Sequence, residues 1–353
     1  MNEIQLGKIK VGNHLKPYFI ADIAANHDGE LSRAKELVWV AKESGANCAK
    51  FQHFVASKIV NDVEFSKINS LETHQSGWNA SVSEIYDQYH FRREWTEDIV
   101  NECKKADIEF STSPYDYDAV ELVDEYINFY KIGSGDISWI DFIKYVANKD
   151  KPVLIATGAA TIDDVKRAVG SVKEDKLILM QCNTNYTVEP DKHKHVNLKV
   201  LECYKELFPN TVLGLSDHTL GHGSVLGAIP LGARVFEKHF TDDNSRIGPD
   251  HKFALNPVNW RMMVEMSEEV FETLGDGIKR VEENEKNAFI VQRRSIVCIK
   301  DLKKGSIIKK EDLDFLRPCP EGSFHPYEAD IVTGKKLQID KKKNESILKE
   351  DIC

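Results

Sequence analysis

The sequence predicts an α/β protein, a (β/α)8 TIM barrel followed by a small, mostly β domain. Short apolar runs alternate with amphipathic helical segments from the N-terminus to about residue 275. This alternation predicts a parallel sheet, because each return to the sheet needs a crossover helix. Near-continuous apolar strands imply burial on both faces, and eight such units in about 250 residues match the size of this barrel.

Each predicted strand has an apolar body and ends in polar or charged residues. The strands lie at 18–24, 48–52, 108–113, 129–134, 153–157, 177–183, 212–218 and 234–240. Thr161 and Asp164 have capping-box spacing, which predicts a helix over 162–173 with an apolar stripe facing the barrel. Ser32 is the expected N-cap of the first helix, and Gly45 is its expected end.

One connection is longer than a compact barrel needs. Residues 53–89 separate the second strand from a helix predicted at 93–105. Loops of this length in compact domains are usually functional. The segment is rich in Ser, Asn and His and contains Trp78 and Asn79, so we expect a lid or wall over the barrel mouth. A solvated insertion is the alternative.

The pattern changes after residue 280. A charged stretch is followed by strand signals at 294–299 and 313–316, with a turn at 303–305 between them. We therefore predict a barrel over residues 1–280, a linker over 281–287 and a small β domain over 288–353.

Composition argues against two kinds of partner. The chain has 353 residues and a net charge of −10. Nucleic-acid surfaces need clustered Lys and Arg, so the acidic balance argues against one, and the basic run at 341–343 is interpreted as solvated surface. No stretch approaches the roughly 18 apolar residues of a membrane span.

The cysteines and the N-terminus predict the compartment. The seven cysteines have no CxxC spacing, and the first residues lack the apolar core of a signal peptide. We therefore expect a cytoplasmic protein with reduced thiols.

The active site of such a barrel lies at the carboxyl ends of its strands. Lys50 and Lys131 occur there within apolar strands, where lysine is rare. Together with hydroxyl groups and loop amides, they predict a site for a phosphate or carboxylate ligand. Two alternatives stay open, a Schiff-base lysine and structural buried ion pairs.

Two further strands end on a histidine, His218 and His239, each near a carboxylate, Asp217 or Glu237. Imidazoles at the ends of neighbouring strands can share one divalent cation and leave positions open for water and substrate. One such histidine alone would more often be a core residue, but the pair favours a metal. Ligands without thiolate suit Mn²⁺ or Mg²⁺, while Zn²⁺ and Co²⁺ stay open.

At these positions the chain resembles the sialic acid synthase family, phosphoenolpyruvate-condensing enzymes that make nonulosonic acids. The matching motifs are 19–27 (FIADIAANH), 49–52 (AKFQ), 130–134 (YKIGS), 214–219 (GLSDHT), 237–241 (EKHFT) and 248–251 (GPDH). Residues 294–352 resemble the antifreeze-like (SAF) domain that follows the barrel in this family. The resemblance implies a divalent metal and a domain-swapped homodimer in which each SAF domain covers the partner's barrel.

The resemblance also assigns roles to residues, motif by motif. The metal ligands would be His218 and His239, and the catalytic residues Glu237, Asp22, Lys50 and Lys131. The phosphoenolpyruvate site would comprise Lys50, Ser113, Lys131, Ser134, Thr157, Asn183, Thr184 and Ser216. The sugar would contact Gln52, Asn79, Tyr186, Asp250 and, across the dimer, Arg317. Spacing alone explains Asp250 equally well as a turn or cap residue.

The resemblance implies a reaction as well. Carbon 3 of phosphoenolpyruvate attacks the metal-polarised aldehyde of an open-chain N-acetylmannosamine-type sugar. Water adds at carbon 2, and phosphate leaves by C–O cleavage to give a nine-carbon α-keto acid. N-acetylneuraminate is the expected product, and legionaminate or pseudaminate types, made from diacetamido-trideoxy sugars, are the near alternatives.

Three departures from the family pattern leave the sugar open. Asp22 stands where Glu is usual, QCNT at 181–184 stands where His-Cys-Thr is common, and Thr187 replaces a proline. Two other classes stay open. A metal-dependent aldolase or sugar isomerase would not need both mouth lysines, and a carbohydrate-binding protein would not need paired strand-end histidines. Phosphoenolpyruvate-dependent phosphate release separates all three.

Overall fold

The computed structural model describes residues 3–68, 78, 80–186 and 190–353. The chain divides into two compact units, Met1–Leu274 and Gly275–Cys353. Residues 281–287, the expected linker, fall within the second unit, where Glu283–Glu285 forms a 3₁₀ turn. In the part of the chain that the structure describes, no helix has the length and apolar character needed to span a membrane.

The first unit contains the predicted barrel of parallel strands, preceded by a hairpin that was not predicted. The hairpin pairs β1 (Glu3–Leu6) with β2 (Ile9–Gly12). The barrel strands are β3 (Tyr18–Asp22), β4 (Cys48–His53), β5 (Glu109–Pro114), β6 (Tyr130–Ile132), β7 (Val153–Ala156), β8 (Leu177–Cys182), β9 (Val212–Asp217) and β10 (Ala233–His239). Their order is β5-β4-β3-β10-β9-β8-β7-β6, and Ser111 Oγ donates a hydrogen bond to Phe129 O between the two edges.

Helices connect the strands as the alternation predicts. They are α1 (Leu31–Glu43), α2 (Ala56–Ile59), α3 (Asp62–Lys67), α4 (Val82–Tyr89), α5 (Thr96–Ala106), α6 (Tyr117–Val123), α7 (Ile140–Ala147), α8 (Ile162–Val169), α9 (Val200–Leu207), α10 (Gly223–Ala228) and α11 (Pro257–Thr273). The segment expected as one long loop, residues 53–89, therefore contains three short helices, α2, α3 and α4.

The two predicted helix caps have different outcomes. The capping box of α8 is present, since Thr161 Oγ1 accepts the Asp164 N–H and the Asp164 carboxylate accepts the Thr161 N–H. The predicted cap of α1 is wrong. The helix begins at Leu31, and the Ala34 N–H already bonds to Glu30 O, so Ser32 lies inside the first turn.

Two layers of apolar side chains stabilise the barrel, one outside the strands and one inside them. The outer layer lies between strands and helices and includes Phe51 and Trp260. The inner layer includes Tyr18, the first residue of β3, which packs with Ile4 and Leu6 of the hairpin. The hairpin thus closes the amino-terminal end of the barrel. Polar side chains collect at the opposite end, where the strands finish.

The second unit is small and mostly β, as predicted. It pairs β11 (Ser295–Cys298) with β12 (Leu313–Leu316) in antiparallel fashion and adds several single bridges. Two short helices accompany them, α12 (Lys286–Val291) and α13 (Ala329–Val332). A separate apolar core stabilises this unit and includes Ile296, Cys298, Ile308, Val332, Leu337 and Ile347.

Candidate active site

The strand register brings several predicted residues to one level at the carboxyl end of the barrel. His239 of β10 pairs with Asp22 of β3, and Asp22 pairs with Lys50 of β4. Glu237 of β10 pairs with Ser216 of β9. Side chains alternate between the two faces of a strand, so residues at every second position share the inner face. The register therefore concentrates charge inside the mouth.

Two buried lysines and two buried carboxylates form one cluster there. Lys50 Nζ lies 2.8 Å from Asp22 Oδ2 and 3.9 Å from Glu237 Oε1. Lys131 Nζ lies 2.9 Å from the same Glu237 oxygen. Burial alone would lower the pKa of Lys50, but Asp22 and Glu237 outweigh it and raise that pKa. The ammonium form is therefore favoured, which argues against a nucleophilic Schiff-base amine at Lys50.

Each carboxylate of this cluster has one oxygen atom that makes no hydrogen bond within the described residues. Burial would raise the pKa of Glu237, but Lys131 and Lys50 outweigh it and lower that pKa. Burial raises the pKa of Asp22, although Lys50 opposes the shift. Asp22 Oδ1 and Glu237 Oε2 are buried without a hydrogen-bond partner among the described residues. Because buried polar atoms are nearly always bonded, these oxygens mark a position for water or a ligand.

The carboxylate expected beside His218 faces away from the mouth. Asp217 Oδ2 lies 2.5 Å from Lys238 Nζ, and the Thr219 hydroxyl also donates to that oxygen. Asp217 and Lys238 are register partners on β9 and β10 and lie one residue away from the inward positions. Strand alternation places them on the outer face, so the predicted proximity of Asp217 to the metal pair is wrong.

The two strand-end histidines face one another. The ring centroids of His218 and His239 are 5.4 Å apart. With metal–nitrogen bonds of about 2.1 Å, two imidazoles on one cation have centroids about 4.5 to 5.5 Å apart, so this spacing fits a shared ion. Burial, and then the charge of His218, lowers the pKa of His239 well below its usual value. Neutral imidazole, the form that binds metal, is thereby favoured at His239, whose buried Nδ1 has no hydrogen-bond partner among the described residues. Burial would also lower the pKa of His218, but Cys182 outweighs it and raises that pKa.

The surroundings of the pair favour an oxygen-rich donor set. Among the described residues, no group of three or more His, Cys, Asp or Glu side chains is arranged to hold a metal. Asp22 Oδ2 lies 3.8 Å from His239 Nε2. Cys182 Sγ lies 3.8 Å from His218 Nδ1, the nitrogen that is also 3.0 Å from Asn183 O. The thiol therefore lies on the Nδ1 side of His218, and a cation bound through Nε2 with imidazole and carboxylate donors would suit Mn²⁺ or Mg²⁺.

A cavity of about 270 Å³ opens beside the histidine pair. The predicted sugar residues Gln52, Tyr186 and Asp250 line it. Asp250 Oδ2 accepts the Ala25 N–H at 3.2 Å, and burial raises the pKa of Asp250 to about 6. The volume is just below the usual range of about 300–1,000 Å³ for small-molecule sites, so it suits a ligand of monosaccharide size.

Gly158 brings two predicted phosphoenolpyruvate residues together at this cavity. Its N–H donates to Ser134 Oγ at 2.9 Å. A Cβ on Gly158 would lie 1.8 Å from Thr184 Oγ1 and 2.8 Å from Ser134 Oγ. Only glycine permits this close approach, which creates a compact polar corner at the cavity.

The other residues predicted to bind phosphoenolpyruvate differ in whether their hydroxyl groups already bond to other parts of the protein. Ser216 Oγ donates to Glu237 Oε1 at 3.3 Å and so belongs to the charge cluster. Ser113 is buried on β5 beside its register partner Gln52. The Thr157 hydroxyl instead donates to Met180 O and accepts from the Tyr204 hydroxyl.

Three further residues were predicted to contact phosphoenolpyruvate or the sugar. Asn183 Nδ2 donates to His195 O, while Asn183 Oδ1 is buried without a partner among the described residues. Asn79 lies outside the described residues. Arg317 follows β12 in the second unit and is exposed.

Two features of the site were not predicted. Asp136 follows Ser134 in a 3₁₀ turn, and burial raises its pKa to about 6. An acidic residue ending the GSGD run after a strand was the available signal. The second feature is a group of rings that line the cavity, termed here the aromatic wall, which comprises Phe54, Trp78, Tyr86, Tyr89 and Tyr115.

Comparison with known proteins agrees with this geometry. Residues 37–279 match the NeuB family, and residues 293–352 match the SAF domain. The chain belongs to the NeuB family. It is therefore a synthase of the kind that condenses phosphoenolpyruvate with a sugar, and the non-enzymatic carbohydrate-binding alternative is set aside.

Two curated relatives and one solved structure illustrate the range of this family. The chain is 33% identical to the N,N'-diacetyllegionaminic acid synthase of Legionella pneumophila, covering 97% of this chain and 96% of that protein. It is 30% identical to the human N-acetylneuraminate-9-phosphate synthase, covering 96% and 94%. A crystal structure of N-acetylneuraminic acid synthetase from Leptospira borgpetersenii shares the fold, with a TM-score of 0.71, 24% identity, and coverage of 81% of this chain and 94% of that one. This NeuB-family chain is thus a nonulosonic acid synthase, and its relatives differ in the sugar named.

Proposed function

We propose that this synthase condenses phosphoenolpyruvate with the open-chain aldehyde of a 2-acetamido hexose of the mannosamine type. The products are a nine-carbon α-keto acid and phosphate, and one water is consumed. The observation that carries the proposal is the buried cluster of Lys50, Lys131, Asp22 and Glu237 directly beside the His218–His239 pair. A site for an anionic enol ester and a site for a polarised carbonyl thus share one barrel mouth.

The lysines bind the phosphoenolpyruvate. Its phosphate and carboxylate carry negative charge that would be costly to bury, and Lys50 and Lys131 offset it at close range. Both lysines already lie within 3 Å of carboxylates that hold them in place (2.8 and 2.9 Å). Ser134 and Thr184 add hydroxyl groups from the polar corner at Gly158. The ligand is thereby oriented before the sugar arrives.

The carboxylates control water. After carbon 3 of phosphoenolpyruvate bonds to the aldehyde carbon, positive charge develops at carbon 2 and water adds there. Glu237 Oε2 and Asp22 Oδ1 are buried oxygens without hydrogen-bond partners among the described residues, and they would hold this water and accept its proton. The resulting tetrahedral carbon then loses phosphate by cleavage of its C–O bond.

A divalent cation at His218 and His239, with Mn²⁺ as the first candidate and Mg²⁺ or Co²⁺ as alternatives, would supply Lewis-acid polarisation of the aldehyde oxygen. The ring spacing of 5.4 Å and the lowered pKa of His239 support this assignment. Asp250 and Gln52 line the cavity beside the pair and would orient the sugar hydroxyls.

One assay tests the reaction. Phosphoenolpyruvate labelled with ¹⁸O at the bridging ester oxygen is incubated with Mn²⁺ and a 2-acetamido hexose, and both products are analysed by mass spectrometry. We expect the label in phosphate, together with a nine-carbon keto acid that forms only when the sugar is present. Phosphate release without sugar, or label retained in the organic product, would contradict the proposal.

The proposal includes a domain-swapped homodimer, in which Arg317 contacts the sugar bound by the partner's barrel. The family resemblance and the exposure of Arg317 in the second unit support it. Arg317→Ala and His239→Ala should each be inactive alone and regain activity when co-expressed, because a heterodimer keeps one intact site. Absence of recovery in co-purified heterodimers would exclude the swapped arrangement.

A further inference from the structure

His251 follows Asp250 in the chain and takes no part in the reaction proposed above. Its side chain is fully buried, and both ring nitrogens have partners. Nε2 lies 2.8 Å from Asp28 Oδ1, and Nδ1 lies 2.7 Å from Thr241 Oγ1. The backbone carbonyl of His251 accepts a hydrogen bond from Asn244 Nδ2 at 2.8 Å. Three contacts therefore fix this imidazole and the backbone beside Asp250.

The loop at 248–251 is folded against the His251 ring. A Cβ on Gly248 would lie 2.7 Å from His251 Cδ2 and 3.0 Å from His251 Nε2, so glycine is needed for this approach. Pro249 restricts the backbone of the loop further, because its ring fixes φ. The loop thus turns around the imidazole, and the position of the Asp250 carboxylate depends on where that ring is held.

Asp28 is itself held by a buried arginine. Arg33 Nε lies 2.8 Å from Asp28 Oδ2, and the two terminal nitrogens of Arg33 donate to the Asp242 carboxylate at 3.0 and 2.5 Å. Asp28 follows β3, whereas Thr241 and Asp242 follow β10, and these two strands are paired in the barrel. The ring of His251 is therefore anchored to two neighbouring strands and not to a free loop.

We propose, resting on the function proposed above, that His251 is a positioning residue for the sugar. Held by Asp28 and Thr241, it fixes the Asp250 carboxylate in the wall of the cavity. Among the described residues, only Oδ2 of Asp250 is hydrogen-bonded, to the Ala25 N–H, which leaves Oδ1 for a sugar hydroxyl. Misplacing a binding group by about 1 Å can cost up to about 100-fold in rate, so a loop residue needs such an anchor.

The variant His251→Gln tests the inference by phosphate release with phosphoenolpyruvate, Mn²⁺ and the 2-acetamido hexose that the wild-type protein turns over. Glutamine cannot bond to Asp28 and Thr241 from opposite sides of a ring. We expect KM for the sugar to rise by at least about tenfold, while KM for phosphoenolpyruvate stays unchanged. An unchanged KM for the sugar would overturn the inference.

His53→Gln is the matched control. His53 is equally buried, and its ring nitrogens lie 2.8 Å from Thr112 Oγ1 and 2.9 Å from Thr96 Oγ1. Its backbone belongs to β4 and is held by pairing with β5. The substitution removes the same kind of buried imidazole and should leave both KM values unchanged in the folded protein. A rise in KM for the sugar equal to that of His251→Gln would overturn the inference.

Two variants of Asp28 make the test independent of how well His251→Gln folds. The Asp28 side chain is 22% exposed, so its replacement disturbs less packing. Asp28→Asn keeps an oxygen that can accept from His251 Nε2, and KM for the sugar should stay near the wild-type value. Asp28→Ala removes that oxygen and should raise KM for the sugar by about tenfold. Equal KM values in the two variants would overturn the inference.

A double-mutant cycle separates positioning from a general structural role. If His251 acts through Asp250, its replacement changes nothing further once the Asp250 carboxylate is absent. Adding His251→Gln to Asp250→Ala should therefore leave the dissociation constant of the sugar, measured by titration calorimetry, unchanged. Effects that multiply would overturn the inference and leave the proposed function standing. Wild-type protein that releases no phosphate in response to the sugar would contradict the proposed function itself.

Discussion

Replacing Lys50 with methionine separates its role in binding from its role in folding. Lys50 is buried and lies 2.8 Å from Asp22 Oδ2, which is equally buried. Removing one partner of a buried ion pair typically costs about 3–5 kcal/mol, because the other charge stays buried and unpaired. The double variant Lys50→Met/Asp22→Asn removes both charges, so most of that loss in the free energy of unfolding should be recovered.

Binding should not recover with stability. Loss of a hydrogen bond to a charged group costs about 1.5–3 kcal/mol, or about 10- to 150-fold in affinity. KM for phosphoenolpyruvate should therefore rise by about that factor in both the single and the double variant. Urea unfolding measures the free energy of unfolding, and steady-state phosphate release measures KM for phosphoenolpyruvate.

Lys238 provides the matched control. It is as buried as Lys50, lies 2.5 Å from Asp217, and belongs to the outer face of the barrel. Lys238→Met should destabilise the fold to a similar extent while the folded protein keeps its KM for phosphoenolpyruvate. An unchanged KM in Lys50→Met, or an equal rise in Lys238→Met, would refute the assignment of Lys50 to the anion site.

Two further outcomes are expected. Gly158→Ala should raise KM for phosphoenolpyruvate by about tenfold, because the added Cβ would displace Thr184 Oγ1. The control Gly223→Ala should leave this KM unchanged, because a Cβ at Gly223 meets no atom within 4 Å. An equal rise in both variants would contradict the role of the polar corner at Gly158. Burial, and then Arg93, lowers the pKa of His53 to about 3, so between pH 6.5 and 3 the unfolded chain binds a proton that the folded chain does not. The free energy of unfolding should therefore fall as pH falls, and His53 should account for about 2 kcal/mol of this loss at pH 5. Urea unfolding at several pH values measures the effect, and His53→Gln should remove this part of the pH dependence. An unchanged pH dependence in His53→Gln would contradict a buried neutral imidazole at His53.

The strands were predictable because their chemistry is local. A run such as Val212–Asp217 is apolar along its length, as a strand covered on both faces must be, and its end is marked by polar residues. The hairpin of β1 and β2 escaped prediction because each strand has only four residues and its buried positions are few. Ser32 failed as a cap because the helix start depends on the Ala34–Glu30 hydrogen bond, which residue type alone does not specify.

The site was predictable only in part, because only some of its residues have a signal in the local sequence. Lys50 and Lys131 stand out because lysine is rare in an apolar strand. Asp217 was misplaced because it is adjacent in sequence to His218 yet belongs to the opposite face, bonded to Lys238. The aromatic wall has no sequence signature, since its rings come from separate elements and meet only in the tertiary structure.

Anomalous diffraction from crystals soaked in manganese chloride and phosphoenolpyruvate tests the central claim most directly. The account predicts one strong peak about 2.1–2.3 Å from a ring nitrogen of both His218 and His239, with the phosphoenolpyruvate anion contacting Lys50 and Lys131. A map with no peak between those rings, or with the anion bound away from the two lysines, would contradict it.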